Sequence, residues 1–215
     1  MKLQDLQTPA VVIRQESMLE NLKKYQKKCD EHGKQLWPML KTHKSTEIAK
    51  LQMEIGATGF LCGTLDECEA LCEQGVKQLM YAYPVAGAVS CRRVIELAKN
   101  CDFYVRIDGL EAASQLNQIA TEYGVRVNYT ISLDCGLHRF GMPAEDILPF
   151  AESMKRFESL NFCGISTHCG HVYSEADAAK VPLYAEQEKA AIQKAVSDLK
   201  AAGFDVRIVS SGATP

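Results

Sequence analysis

Short β-branched or aromatic runs alternate with longer amphipathic stretches along this chain. TPAVVIR (8–14), QLWPMLK (35–41), TGFLCGT (58–64), QLMYAYP (78–84), DFYVRID (102–108), RVNYTISLDC (126–135), LNFCGISTHC (160–169) and DVRIVSSG (205–212) read as strands. Each is short and apolar enough to be buried on both faces, as a parallel sheet requires. The stretches between them read as helices that stop at Gly33, Gly56, Gly75, Gly124 and Gly203, because glycine past a helix end supplies the left-handed cap without a Cβ clash. Repeated β-then-α units predict parallel strands joined by right-handed helical crossovers. An open doubly wound sheet and a (β/α)8 barrel both satisfy that pattern. No G-x-G-x-x-G follows the early strands and no Walker A sequence occurs, which weakens the nucleotide-binding open sheet. Eight strand candidates favour the barrel, although such barrels usually run to about 250 residues and this chain has 215.

Composition narrows the picture by exclusion. A chain of 215 residues is expected to form one domain over 1–215. With 47% hydrophobic and 24% charged residues it is not a disordered polymer. The net charge of −3 and the absence of a basic tract argue against nucleic-acid or anionic-membrane partners, which require clustered Lys and Arg. No apolar run approaches the roughly 20 residues of a membrane span, and MKLQDLQ does not read as a signal peptide. The nine cysteines are odd in number, scattered and without a CxxC, so a reduced, cytoplasmic setting and no metal site within the chain are expected.

In a barrel the chemistry sits at the C-terminal ends of the strands. Those ends carry Lys41-Thr42-His43-Lys44, Tyr81-Ala82-Tyr83-Pro84, Arg106-Ile107-Asp108, Asp134 to Arg139, His168-Cys169-Gly170-His171 and Ser210 to Thr214. Trp37, Met39 and Lys41 share one face of a strand. On that apolar lining a lysine becomes a competent amine nucleophile toward an aldehyde; the alternative is that Lys41 ends the strand and reaches solvent. Ser210-Ser211-Gly212-Ala213-Thr214 offers small hydroxylated residues around a glycine, suited to cradling a phosphate, or else forms an ordinary Ser/Gly turn. The two features in one barrel mouth describe a site for pyridoxal 5'-phosphate.

TPAVVI, LKTHKS (40–45), DCGLHRFG (134–141) and GISTHCGH (164–171) resemble the D-threonine aldolase and D-serine dehydratase family, which belongs with the alanine racemases among barrel-type pyridoxal phosphate enzymes. The resemblance spans essentially the whole chain. It implies that Lys41 carries the cofactor as a Schiff base and that Arg139 sits near the cofactor's phenolic oxygen. It also places the phosphate on Ser210, Ser211, Gly212, Ala213 and Thr214, with His168 beside the cofactor ring; Tyr83 is a candidate lining residue. It assigns TPAVVIR to a separate β-domain, leaving about seven barrel strands here. The family's C-terminal β-domain, which carries divalent-metal ligands in metal-activated members, is expected to lie outside this chain. A homodimer is expected of a full-length member.

Two departures bear on the reaction. Where the family usually has R-P-H before K-T-H-K, this chain has Trp37-Pro38-Met39, and His168 stands where a tyrosine is common. The implied activity is that of a lyase acting on a small D-amino acid, by aldol cleavage or dehydration of a D-3-hydroxy substrate. The alternatives are an amino acid racemase, a non-catalytic cofactor-homeostasis protein and an inactive truncated product. Among the other candidates, Arg106 and Asp108 are expected to form a strand-end pair. Cys68 and Cys72 are expected to pack rather than bind metal. Cys135 and Cys169 are mouth residues without a catalytic role, and His43, His138 and His171 are supporting residues.

Overall fold

The computed structural model describes residues 3–213. Six strands form one parallel sheet: β1 (Phe60–Cys62), β2 (Gln78–Pro84), β3 (Asp102–Ile107), β4 (Val127–Ser132), β5 (Leu160–Ser166) and β6 (Ile208–Ser210). Seven helices accompany them: α1 (Gln15–Glu31), α2 (Thr46–Ile55), α3 (Leu65–Glu73), α4 (Ala88–Asn100), α5 (Leu110–Glu122), α6 (Ala144–Met154) and α7 (Val181–Ala201). The strand order is β1-β2-β3-β4-β5-β6 without reversal. A doubly wound sheet has a switch point where the order reverses; a winding that always advances the same way curls into a barrel. The chain is therefore an α/β portion of a (β/α)8 barrel, incomplete over these residues.

Local chemistry accounts for the element ends. Ser45 caps α2 by accepting from the Ile48 N–H at 3.3 Å, and Thr64 caps α3 by accepting from the Glu67 N–H at 3.2 Å, satisfying donors that a helix start leaves unpaired. All five glycines read as helix stops have positive φ. The helix-facing side of the sheet carries Val105, Ile107, Tyr129, Ile131 and Ile165, which join the buried core with Leu116, Ile147 and Leu199 from the helices.

The register also fixes the opposite face. Arg106 lies beside Thr130, and Ser132, Ser166 and Ser210 form a row across β4, β5 and β6. Neighbours in register share a face, so the barrel interior is polar toward the strand C-termini; Thr130 Oγ1 donates to Ser166 Oγ at 2.9 Å within it. The register shift that leaves Cys163 unmatched between Phe162 and Gly164 is a bulge in β5.

The two N-terminal strand candidates behave differently from the six strands of the sheet. TPAVVIR is extended but pairs with no strand among the described residues, and it leaves Val11 94% exposed with Val12 and Ile13 also exposed. QLWPMLK lies alongside β1 through a single parallel bridge, Met39 to Leu61, with the Leu61 N–H donating to the Pro38 carbonyl at 2.9 Å. Pro38 has no N–H to offer a ladder, and the chain then tightens into a 3-10 turn over Leu40–Thr42. The barrel portion thus shows six strands and one bridged segment in place of seven strands.

Candidate active site

That same turn moves Lys41 off the line of Trp37 and Met39. Trp37 Nε1 donates to Thr58 Oγ1 at 3.0 Å and its ring meets Tyr104 edge-on. Lys41 instead is exposed at the mouth, with its stem against Gly63, where an added Cβ would lie 3.0 Å from Lys41 Cβ. The expected apolar lining around Lys41 is corrected accordingly. Lys44 pairs with Glu67 at 2.6 Å, and Glu67 also accepts from the Gly63 N–H at 2.7 Å, so the segment carrying Lys41 is braced against the start of α3.

His168 lies at the centre of the mouth. Its Nδ1–H donates to the Gly212 carbonyl at 2.9 Å, which leaves Nε2 as the acceptor in the neutral ring. Burial lowers its pKa below the usual 6.5, the Gly212 carbonyl opposes that, and the charges of Arg139, Arg106 and Lys41 lower it further. Arg106 and Arg139 line the same cleft as His168, and the Lys41 charge is near enough to act on the ring. Gly170 is required here because an added Cβ would lie 2.8 Å from His168 Nε2.

Arg106 is 3% exposed, its Nε has no partner, and among the described residues it joins no ion pair. Burial and the nearby Arg139 charge push its pKa down to about 10, so it remains charged at neutral pH. The expected pair with Asp108 is absent: β3 ends at Ile107, and the Asp108 carboxylate accepts the Gly141 N–H at 3.0 Å. A buried charge without a counter-charge is costly, and an anion from outside the chain would complete the site.

Arg139 stacks over Phe140 at 4.6 Å and over Tyr83 at 5.4 Å, contacts that hold a guanidinium by its flat face. Its loop is organised by Asp134. Partial burial raises the Asp134 pKa, but N–H donors from Gly136 (2.9 Å) and His138 (3.1 Å) and the His138 ring (2.8 Å) bring it below the usual value. Arg106, Asp134, Arg139, Ser166 and His168 line one cleft. At its rim Ser210 accepts the Thr167 N–H through its carbonyl at 2.8 Å; Ser211 and Gly212 are exposed, Ala213 is half-buried, and Gly212 has open space around its Cα. Thr214 lies outside the described residues.

The fold thus gathers Lys41, Arg139 and His168 around one mouth, with Tyr83 under Arg139 and the Ser210–Ala213 segment joined to it through Gly212. Reading by sequence missed the free charge of Arg106, because strand spacing alone suggested a partner. It also missed a grouping of Cys135, Cys169 and His171, whose ligand atoms all lie within 4.8 Å of one another. Cys68, by contrast, is part of the packed core.

The family model described as alanine racemase, N-terminal domain, matches residues 13–215. The chain belongs to that family. D-threo-3-hydroxyaspartate dehydratase of Delftia sp. (strain HT23) is 31% identical, over 98% of this chain and 56% of its own length. 3-Hydroxy-D-aspartate aldolase of Paracoccus denitrificans (strain Pd 1222) is 26% identical, over 98% of this chain and 55% of its own. The solved structure of the Delftia dehydratase superposes with a TM-score of 0.91 at 30% identity, covering 98% of this chain and 56% of that one. D-threonine aldolase from Filomicrobium marinum, at 21% identity, shares the fold with a TM-score of 0.92 over 98% of this chain and 57% of that one. The chain spans about half the length of the curated relatives it matches. No helix among the described residues is long and apolar enough to cross a membrane.

Proposed function

We propose that this racemase-family domain, residues 1–215, supplies the cofactor-binding barrel of a pyridoxal phosphate lyase that cleaves or dehydrates a D-3-hydroxy amino acid. The observation that carries this reading is the unpaired, buried Arg106 beside Arg139, Lys41 and the His168–Gly212 link. It is a cationic mouth built for an anionic aromatic cofactor and a carboxylate substrate. Relatives named for 3-hydroxyaspartate and D-threonine support the substrate class. When bound, the cofactor supplies an electron sink for breaking a bond at the substrate Cα.

The chain's own residues divide the remaining work. Lys41, exposed and braced through Gly63, offers the amine that holds the cofactor's aldehyde carbon. Ser210, Ser211, Gly212, Ala213 and Thr214 hold the phosphate, with Gly212 allowing backbone approach. Arg139, pinned on Tyr83 and Phe140, would offer its guanidinium donors to the bound cofactor's phenolic oxygen, and neutral His168 would pack against its ring. Arg106 draws anionic groups into the mouth. A divalent metal in full-length members, a homodimer and a cytoplasmic setting complete the reading; the nine free cysteines accord with the last.

The test is to add pyridoxal phosphate and supply D-threonine, D-serine and 3-hydroxy-D-aspartate, with and without a divalent cation. Glycine plus aldehyde marks aldol cleavage; a 2-oxo acid plus ammonia marks dehydration. Either product, lost in Lys41→Ala, is the expected result. Enantiomer exchange alone, or saturable cofactor binding without any product, overturns the lyase assignment.

A further inference from the structure

Beside the cofactor mouth, two loops meet that sequence spacing keeps far apart. Cys135 follows β4 and Cys169 and His171 follow β5. Cys169 Sγ lies 3.9 Å from His171 Nε2, too long to commit the imidazole to a strong hydrogen bond. His171 Nδ1 is buried without a partner. Gly136 lets the ring come this close: with φ at +125°, it leaves the space where an added Cβ would lie 3.1 Å from the imidazole. The edge-on contact with Tyr184, at 5.0 Å between centroids, holds the other side of the ring.

From this geometry we infer that Cys135, Cys169 and His171 form a site for one thiophilic divalent cation, zinc(II) by the chemistry of its ligands. Two thiolates and an imidazole suit zinc, whereas magnesium and calcium take oxygen ligands. Tetrahedral zinc with ordinary bond lengths spaces sulfur from sulfur by about 3.8 Å and sulfur from nitrogen by about 3.6 Å. The three ligand atoms, all within 4.8 Å of one another, need to close by no more than about 1.2 Å to reach that spacing. Glu188 of α7 lines the same cavity as Cys169 but lies outside the group of three ligand atoms, so water takes the fourth position. Binding would release the thiol protons, so two thiolates neutralise the ion.

The site is separate from the metal ligands that family resemblance assigns to a C-terminal domain. It would tie the β4 loop, which leads to Arg139, to the β5 loop, which carries His168, and so act as a positioning site for the mouth. It stands independently of the cofactor reading, because its ligands are not the residues assigned to the cofactor.

The test is anaerobic titration of the reduced, metal-free protein with cobalt(II), read as visible absorption of tetrahedral cobalt–thiolate coordination. One equivalent should saturate the signal, and one equivalent of zinc(II) should abolish it. Cys135→Ser, Cys169→Ser and His171→Asn should each weaken binding by about a hundredfold or more, while Cys72→Ser leaves it unchanged. If buried Cys169→Ser fails to fold, Cys135→Ser and His171→Asn, checked by circular dichroism, carry the comparison. No tetrahedral signal, or a signal equally strong in both of those variants, overturns the site, as does equal loss in Cys72→Ser.

Discussion

Arg106 combines a charge, near-complete burial and, among the described residues, no counter-ion at the end of β3. Removing an uncompensated buried charge in favour of an apolar chain of similar length relieves desolvation. Arg106→Met should therefore stabilise the ligand-free protein by about 1–3 kcal/mol, read by urea unfolding, while weakening pyridoxal phosphate or inorganic phosphate binding about tenfold or more. A destabilised variant would show that a partner within the chain already satisfies the guanidinium. His168 yields a prediction of opposite origin. Burial lowers its folded pKa below 6.5, so the unfolded chain takes up the proton more readily. Its contribution to stability is fully present above the unfolded pKa and is lost as pH falls through and below it. An NMR titration should place the His168 midpoint below 6.5, and His168→Gln should flatten the stability profile between about pH 5 and 7. At this scale the sequence showed which residues stand at strand ends but not their partners. Arg106 and Asp108 are two apart, yet the strand ends between them and Asp108 turns to Gly141.

Among the elements, the close approach of β5 and β6 is the most exposed to test. Gly164 has φ +145°, and an added Cβ would run into the Ile208 carbonyl, while the regular β5–β6 register from Gly164 onward aligns Ser166 with Ser210. Gly164→Ala should cost more than about 3 kcal/mol and, in hydrogen exchange, release the Thr167 N–H bond to the Ser210 carbonyl before the β3–β4 ladder. Thermal unfolding close to that of the unmodified protein would contradict this. The helices were legible because their signals are local: an amphipathic stripe and a terminal glycine. Strands β1 to β6 were legible as short apolar runs. The two N-terminal candidates were not, because pairing is a property of two segments. TPAVVIR has a strand's composition but pairs with no strand among the described residues, and QLWPMLK carries a proline where the ladder needs a donor.

For the whole molecule, sequential strand order is what collects residues from 41 to 213 at one mouth. The meeting of strand ends at one mouth was anticipated from βα repetition with the strand-end rule, though not the free charge that Arg106 brings to it. The Cys135–Cys169–His171 grouping was not, since nothing in a 34-residue separation between two cysteines signals contact until the order of β4 and β5 is known. The central claim is that this mouth holds pyridoxal phosphate on Lys41. Its most direct test is borohydride reduction after cofactor addition, followed by peptide mass mapping. The account predicts one phosphopyridoxyl group on the peptide containing Lys41, absent in Lys41→Ala. An adduct centred on Lys44 or another lysine, or no adduct at saturating cofactor, would contradict it.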